Sequence, residues 1–267
     1  VERIERIEVL GVGVDLVGKA DLEREVLRLA RAPENSGREL VLNVNVHCLN
    51  LAYLDPELRR ILNEAALIFC DGAGVALGAR LLGLPAPERI TYADWLWSLA
   101  GLAARESLSV YLIGSRPGVA EEAARRLSRR HPALRIAGTG HGYFDGTPDS
   151  GENEAVLEEI SAAAPDILVV GFGMPLQERW LSRNRDRLGA GVALSGGAAF
   201  DYVSGRARRG PRILTDNGFE WFARLLLEPG RLWRRYLLGN PLFVARVLRQ
   251  RFLHGCGPGS REPRRLS

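Results

Sequence analysis

The chain has 267 residues, 46% hydrophobic, 25% charged and 7% aromatic, a globular composition that excludes collagenous, disordered and disulfide-scaffold classes and is long enough for one large domain or a domain with an appendage. Three scattered cysteines, Cys48, Cys70 and Cys256, form no CxxC or Cys/His cluster, so neither a disulfide framework nor a structural zinc site is indicated and a reduced compartment is the default. The net charge of +4 is unevenly spread: residues 1–205 hold 22 Lys and Arg against 28 Asp and Glu, while residues 206–267 hold 14 against 4, which marks a basic appendage meeting an anionic partner, either membrane or nucleic acid.

In chain order, the N-terminal stretch alternates charged and aliphatic residues and lacks the basic-then-apolar order of a signal peptide. Seven short apolar runs read as strands: Arg6–Gly11, Leu40–Val46, Ala66–Cys70, Ser109–Gly114, Arg135–Gly138, Ile167–Gly171 and Val192–Ser195. Between them, helical periodicity covers Asp21–Arg31, Leu49–Glu64, Gly74–Leu82, Tyr92–Arg105, Pro117–Arg130, Glu152–Ala163 and Pro175–Leu188. That alternation predicts an α/β fold with a mostly parallel sheet and helices on both faces. After about Gly205 the texture changes. Asn217–Leu227, Arg231–Leu238 and Leu242–Phe252 read as basic amphipathic helices, broken at Glu228-Pro229-Gly230 and Asn240-Pro241. Such helices either lie on anionic membrane or cap the sheet. The expected organisation is a core over 1–205, a helical appendage over 206–254 and a disordered tail over 255–267. No run approaches the ~18 uninterrupted apolar residues of a membrane span.

Ligands of parallel sheets bind beyond the carboxyl ends of the strands. Those positions hold Asn43-Val44-Asn45, Asp71-Gly72-Ala73-Gly74, Gly114-Ser115, Gly140-His141-Gly142, Gly171-Phe172-Gly173 and Ser195-Gly196-Gly197. Each alone reads as an ordinary turn, but together they point to a phosphate-bearing ligand, since glycine lets backbone approach it and helix N-termini offer free N–H groups. The dinucleotide fingerprint G-x-G-x-x-G, the P-loop and the G-x-S-x-G elbow are all absent. Asp71, directly after an apolar run, is placed either as a catalytic base or as an N-cap. Gln177 and Glu178 fall in the first turn of a helix, where Glu178 is expected as a dipole-compensating residue and Gln177 faces a ligand.

In order and spacing, Asn43-Val44-Asn45, Asp71-Gly72-Ala73-Gly74-Val75, Arg89-Ile90, Tyr111 to Ala120, Gly142-Tyr143-Phe144, Asp166 to Glu178, Gly196 to Asp201 and Gly218 to Leu237 resemble the bacterial WecG/TagA/CpsF glycosyltransferases, from about Ile7 to Leu253. The resemblance implies a Rossmann-like catalytic core. It implies inverting transfer of an N-acetylmannosamine-type or glucose-type sugar from a UDP-sugar to an undecaprenyl-diphosphate-linked sugar for cell-surface polysaccharide or teichoic acid. A peripheral place on the inner face of the cytoplasmic membrane follows, as do an appendage that completes the site and possible homo-oligomers. Asp71 matches the family's base. Arg89, Arg224 and Arg231 match acceptor or diphosphate contacts, while Asn43, Asn45 and Gln177 match sugar-positioning residues. Gly114, Gly171 and Gly173 line the donor turns. No Asp-x-Asp is present, so metal-independent chemistry with no cofactor is expected. Tryptophan and leucine interleave the tail arginines, which favours membrane over nucleic acid. The competing reading is a Rossmann oxidoreductase or methyltransferase that binds a nucleotide cofactor. Four positions depart from the pattern: Asn43 for threonine, Leu176 for lysine, Tyr92 for glycine and Gly210 for alanine.

Overall fold

The computed structural model describes residues 4–32, 39–207, 210–211, 220–253 and 262–264. It divides into two compact units, one of Ala20–Leu42 with Tyr92–Ala207, the other of Val1–Lys19, Asn43–Thr91 and Arg208–Ser267. One crossing of the chain between the units falls at 207/208. Three further crossings, at 19/20, 42/43 and 91/92, interleave the units along the chain.

The fold is α/β, with a six-stranded sheet of order β4-β3-β8-β7-β5-β6. Its strands are β3 (Glu39–Val44), β4 (Leu67–Cys70), β5 (Ser109–Gly114), β6 (Arg135–Gly140), β7 (Ile167–Gly171) and β8 (Val192–Ser195). The pairs β3/β8, β8/β7, β7/β5 and β5/β6 are all parallel. Residues of β5, β7 and β8 are buried at every position, as befits strands covered on both faces, and that is why they read as continuous apolar runs. β6, at the sheet edge, is only half-buried and polar at its start.

In the first unit the helices are α1 (Lys19–Ala30), α5 (Tyr92–Arg105), α6 (Val119–Arg130), α7 (Gly151–Ala163), α8 (Leu176–Asn184) and the short α9 (Ala199–Val203). The sequence reading did not anticipate α9. α8 tightens into a single 3₁₀ turn at Arg185–Arg187 instead of running on to Leu188.

The second unit opens with a hairpin missing from the sequence reading. β1 (Ile4–Val9) turns back as β2 (Val12–Asp15) through Leu10 at φ 54° and Gly11 at φ 80°. Two consecutive positive φ values match the twist of a tight hairpin. Arg6 grips Asp15 at 2.7 Å through both Nε and Nη2, and Asp15 Oδ2 also accepts from the Ile68 amide at 2.7 Å. The helix expected over Leu49–Glu64 is two helices, α2 (Val46–Leu54) and α3 (Pro56–Glu64). Asp55 ends the first and caps the second, and Pro56 at the first helical position cannot continue a preceding helix. α4 (Ala73–Leu81) follows β4.

From the C-terminal segment come α10 (Glu220–Leu227), α11 (Pro229–Trp233), a π-helical turn at Arg234–Leu238, and α12 (Gly239–Leu253). Pro241 does not break the helical run, which passes from α11 into α12 without interruption; the wider π-helical turn at Arg234–Leu238 lies directly before it. Residues 217–219, Gly218 among them, lie outside the described residues. The tail 255–267 does too, except for Glu262–Arg264, which form β9 and pair antiparallel with β1. Among the described residues no helix is long and apolar enough to cross a membrane.

Within its unit α12 is firmly tied. The ring of Phe243 presses on Gly78 of α4, where a Cβ would lie 2.7 Å from it. Arg246 Nη1 donates to Asn50 O and Oδ1 at 3.0 and 2.8 Å while its guanidinium stacks 4.5 Å from the Tyr53 ring. Gln250 Oε1 accepts from the Leu10 amide at 2.9 Å.

Candidate active site

In the first unit, β5 connects through α6 to β6 on one side of it, whereas β7 connects through α8 to β8 on the other. The crevice beyond the carboxyl ends of β5 and β7 is therefore a topological switch point, the place where open α/β sheets bind ligands. The glycines expected at this edge meet there. Gly114, at φ 149°, lies so close to β7 that a Cβ would stand 2.5 Å from Gly171 O, and a Cβ on Gly171 would stand 2.8 Å from Gly197 O. Backbone bonds tie the loops together: the Ser115 amide to Gly171 O at 3.0 Å and the Gly142 amide to Ser115 O at 2.8 Å. Gly173, at φ 83°, makes the turn into α8.

Gln177, expected to face a ligand, is fully buried. Its Oε1 accepts from the amides of Gly173 at 3.2 Å and Gly197 at 3.0 Å, and its Nε2 donates to Glu178 Oε1 at 2.8 Å. The side chain shapes the loops after β7 and β8. Glu178 is fully buried as well, so it is not a solvated helix-dipole partner. Burial pushes its carboxyl up to about 7, against the opposing hydrogen bond from Gln177.

Sequence reasoning gave no role to Ser115 or Asp201, yet Ser115 Oγ donates to Asp201 Oδ2 at 2.9 Å and Arg206 Nε stands 4.0 Å from Asp201 Oδ1. Ser115 had a positional signal, directly after β5, whereas Asp201 lies within the unanticipated α9. Phe172 packs edge-to-face on Phe144 and Trp180, at 5.4 and 5.2 Å.

The second unit brings Asn43 and Asp71 together. Asn43, buried near the end of β3, donates Nδ2 to Asp71 Oδ2 at 3.0 Å, and the Asp71 amide donates to Val44 O at 2.8 Å. Asp71 is not an N-cap. Gly72 takes that position in α4 and makes no side-chain cap bond. Asn45 is the cap of α2, its Oδ1 accepting from the Cys48 amide at 3.1 Å. Arg89 is half-buried in the loop before α5, and its charge is felt at the same place as that of Asp71. Burial pushes the Cys70 thiol up to about 12, with Asp71 adding to the rise and Arg89 opposing it.

Sequence reasoning gave no role to two further residues of this unit, His47 and Arg235. His47, two residues after Asn45, has its pKa lowered to about 4 by burial and then by the Arg235 charge from the π-helical turn. Arg224 is half-buried in α10, and Arg231 belongs to α11. Arg246 is engaged with Asn50 and Tyr53, whereas Arg249 is exposed. Of the departures from the family pattern, Leu176 is 63% exposed at the start of α8, and Tyr92 is buried edge-to-face against Trp95 at 5.2 Å. Among the described residues no three His, Cys, Asp or Glu side chains gather as a metal-binding group.

The chain is similar to three bacterial enzymes named N-acetylglucosaminyldiphosphoundecaprenol N-acetyl-beta-D-mannosaminyltransferase. That of Bacillus spizizenii W23 is 33% identical over 198 residues, 74% of each chain. That of Bacillus subtilis 168 is 29% identical over 79% of each chain. The Staphylococcus aureus NCTC 8325 enzyme is 26% identical over 91% of this chain and 92% of its own. The profile of the glycosyl transferase WecG/TagA/CpsF family matches residues 7–256, nearly the whole chain, and the chain belongs to that family.

Proposed function

We propose that this chain transfers an N-acetylmannosamine-type sugar from a UDP-sugar to a polyprenyl-diphosphate-linked N-acetylglucosamine, with inversion at the anomeric carbon. The observation that carries this reading is the Asn43–Asp71 pair, a carboxylate at the end of β4 held in a fixed orientation by a buried amide. The names of the relatives support the acceptor and the sugar.

In the proposed reaction Asp71 takes the proton of the acceptor hydroxyl as that oxygen attacks the anomeric carbon. The bond from that carbon to the UDP oxygen breaks, UDP leaves with the electron pair, and the proton remains on Asp71. Charge growing on the departing diphosphate is met by Arg89, Arg224 and Arg231, with no metal required. The nucleotide occupies the switch-point crevice, with Gly114, Gly171 and Gly173 admitting close backbone approach. Exposed Phe222, Leu226, Trp233, Leu237 and Leu238, interleaved with arginines, supply a surface for anionic lipid that suits a lipid-linked acceptor.

The test is product mass analysis with a panel of UDP-sugars and a short-chain polyprenyl-diphosphate-linked N-acetylglucosamine, run with and without EDTA. A product gaining one N-acetylhexosamine in EDTA is expected. No transfer from any UDP-sugar overturns the reading, and a strict divalent-metal requirement overturns the arginine account of the leaving group.

A further inference from the structure

We infer that Glu178 is a positioning residue: by accepting from Gln177 Nε2 it fixes which way the Gln177 amide faces, and so holds the loops after β7 and β8 in one arrangement. The inference deepens the proposed donor site and rests on that reading only for its consequence in nucleotide binding.

Two backbone donors, the amides of Gly173 and Gly197, converge on one oxygen, Gln177 Oε1, at 3.2 and 3.0 Å. A carboxamide has one acceptor end and one donor end. Turning it over would set an NH₂ group against two N–H groups and leave both backbone donors unsatisfied in a buried place, at the cost of two unmet hydrogen bonds. The face it presents therefore depends on what stands at the other end. There Glu178 Oε1 receives Nε2 at 2.8 Å, and a carboxyl accepts there in either protonation state.

Apart from Gln177, the Glu178 carboxyl meets only its own backbone N–H. Its Oε2 is buried and has no hydrogen-bond partner among the described residues. An apolar residue of similar size would avoid burying that oxygen, so the carboxyl is retained at a cost in stability. What it contributes is direction. The Gly197 loop is also the one that crowds Gly171, where added bulk would stand 2.8 Å from Gly197 O. One side-chain pair thus sets the spacing of the loops that flank the crevice.

Amide hydrogen exchange at Gly173 and Gly197 in the ligand-free full chain reads this directly. Glu178→Leu, close in size and without an acceptor, is expected to speed exchange at both amides at least tenfold while amides in the middle of β7 keep their protection. Glu178→Gln, which can still accept, is expected to restore slow exchange. UDP affinity by calorimetry should fall about tenfold in Glu178→Leu and return to within threefold of wild type in Glu178→Gln. Unchanged exchange in a folded Glu178→Leu overturns the inference. Should that variant not fold, Glu178→Ala, which also lacks an acceptor, is expected to speed exchange at both amides, and unchanged exchange in it overturns the inference equally. Faster exchange in a chain whose wild type binds no UDP sustains the positioning role and overturns the donor reading instead.

Discussion

The buried amide of Asn43 donates to Asp71 Oδ2 at 3.0 Å across the ends of β3 and β4. A threonine hydroxyl, common at this position in relatives by resemblance, can donate as well, so the departure preserves the chemistry of the contact while changing its reach.

Asp71→Asn keeps the shape of the side chain and removes its basicity. Transfer is expected to fall by about 10²–10⁴, the range of a lost general base, with the thermal midpoint nearly unchanged. Asn43→Leu is expected to lower turnover about tenfold with little change in UDP affinity, and Asn43→Thr to retain most of it. Initial rates beside a melting curve check all three, and near-normal turnover in Asp71→Asn removes that residue as the base.

Alanine at Gly114 meets the Gly171 carbonyl at 2.5 Å and must also adopt φ 149°. Alanine at Gly118 meets nothing within 4 Å and has only a positive φ of 83° to accommodate. Chemical denaturation is expected to show Gly118→Ala losing about 1 kcal/mol and Gly114→Ala clearly more, on the order of 2–4 kcal/mol. Equal losses would mean that the close approach of β5 and β7 has no energetic weight.

Two buried groups give stability opposite pH slopes. Glu178, raised to about 7, holds its proton in the folded chain where the unfolded chain has released it. Its contribution is full below about 4.5 and is lost as pH rises through 7, at about 1.4 kcal/mol for each pH step of one crossed between those limits. His47, lowered to about 4, stays neutral where the unfolded chain is protonated. Its contribution is full above about 6.5 and lost as pH falls toward 4. Glu178→Gln should therefore flatten the decline between pH 5 and 7, and His47→Gln the rise between pH 4 and 6.5, in denaturation curves across that range.

Arg246 and Arg249 lie on one helix and do different work. Arg246→Ala gives up two hydrogen bonds and a ring contact and is expected to cost about 1–3 kcal/mol of stability. Arg249→Glu, at an exposed position, is expected to leave stability within about 0.5 kcal/mol while weakening sedimentation with vesicles rich in anionic lipid. The reverse pattern would make Arg246, not Arg249, the residue that meets anionic lipid.

How legible each feature was depended on whether its cause is local. Ser109–Gly114, Ile167–Gly171 and Val192–Ser195 match the observed strands to the residue, because burial on both faces writes itself as an uninterrupted apolar run. The hairpin turn was hidden, since Leu10 carries no sign that it will adopt φ 54°; pairing with β2 imposes it. Asp71 could be placed at a strand end, but only the fold shows that the cap belongs to Gly72 and that Asn43 faces the carboxyl. By sequence Gln177 reads as a residue facing a ligand and Glu178 as one that compensates the helix dipole. Their burial depends on the loop at Gly197, 20 residues away, which no local window contains.

The Asn43–Asp71 pair belongs to a unit assembled from three separated stretches of chain, the last of them beginning at Arg208. Leu10 waits for Gln250, and Asn50 for Gly239 and Arg246. During synthesis all of Ala20–Ala207 emerges before α12 exists, so the unit with the parallel strands β5 to β8 can settle while its companion is still missing a wall. Contacts spanning some 200 residues are slow to form. The carboxylate proposed to do the chemistry thus sits in the portion that closes last. A nascent chain is in this way kept from completing the unit that holds Asn43 and Asp71 before the segment that begins at Arg208 has been made.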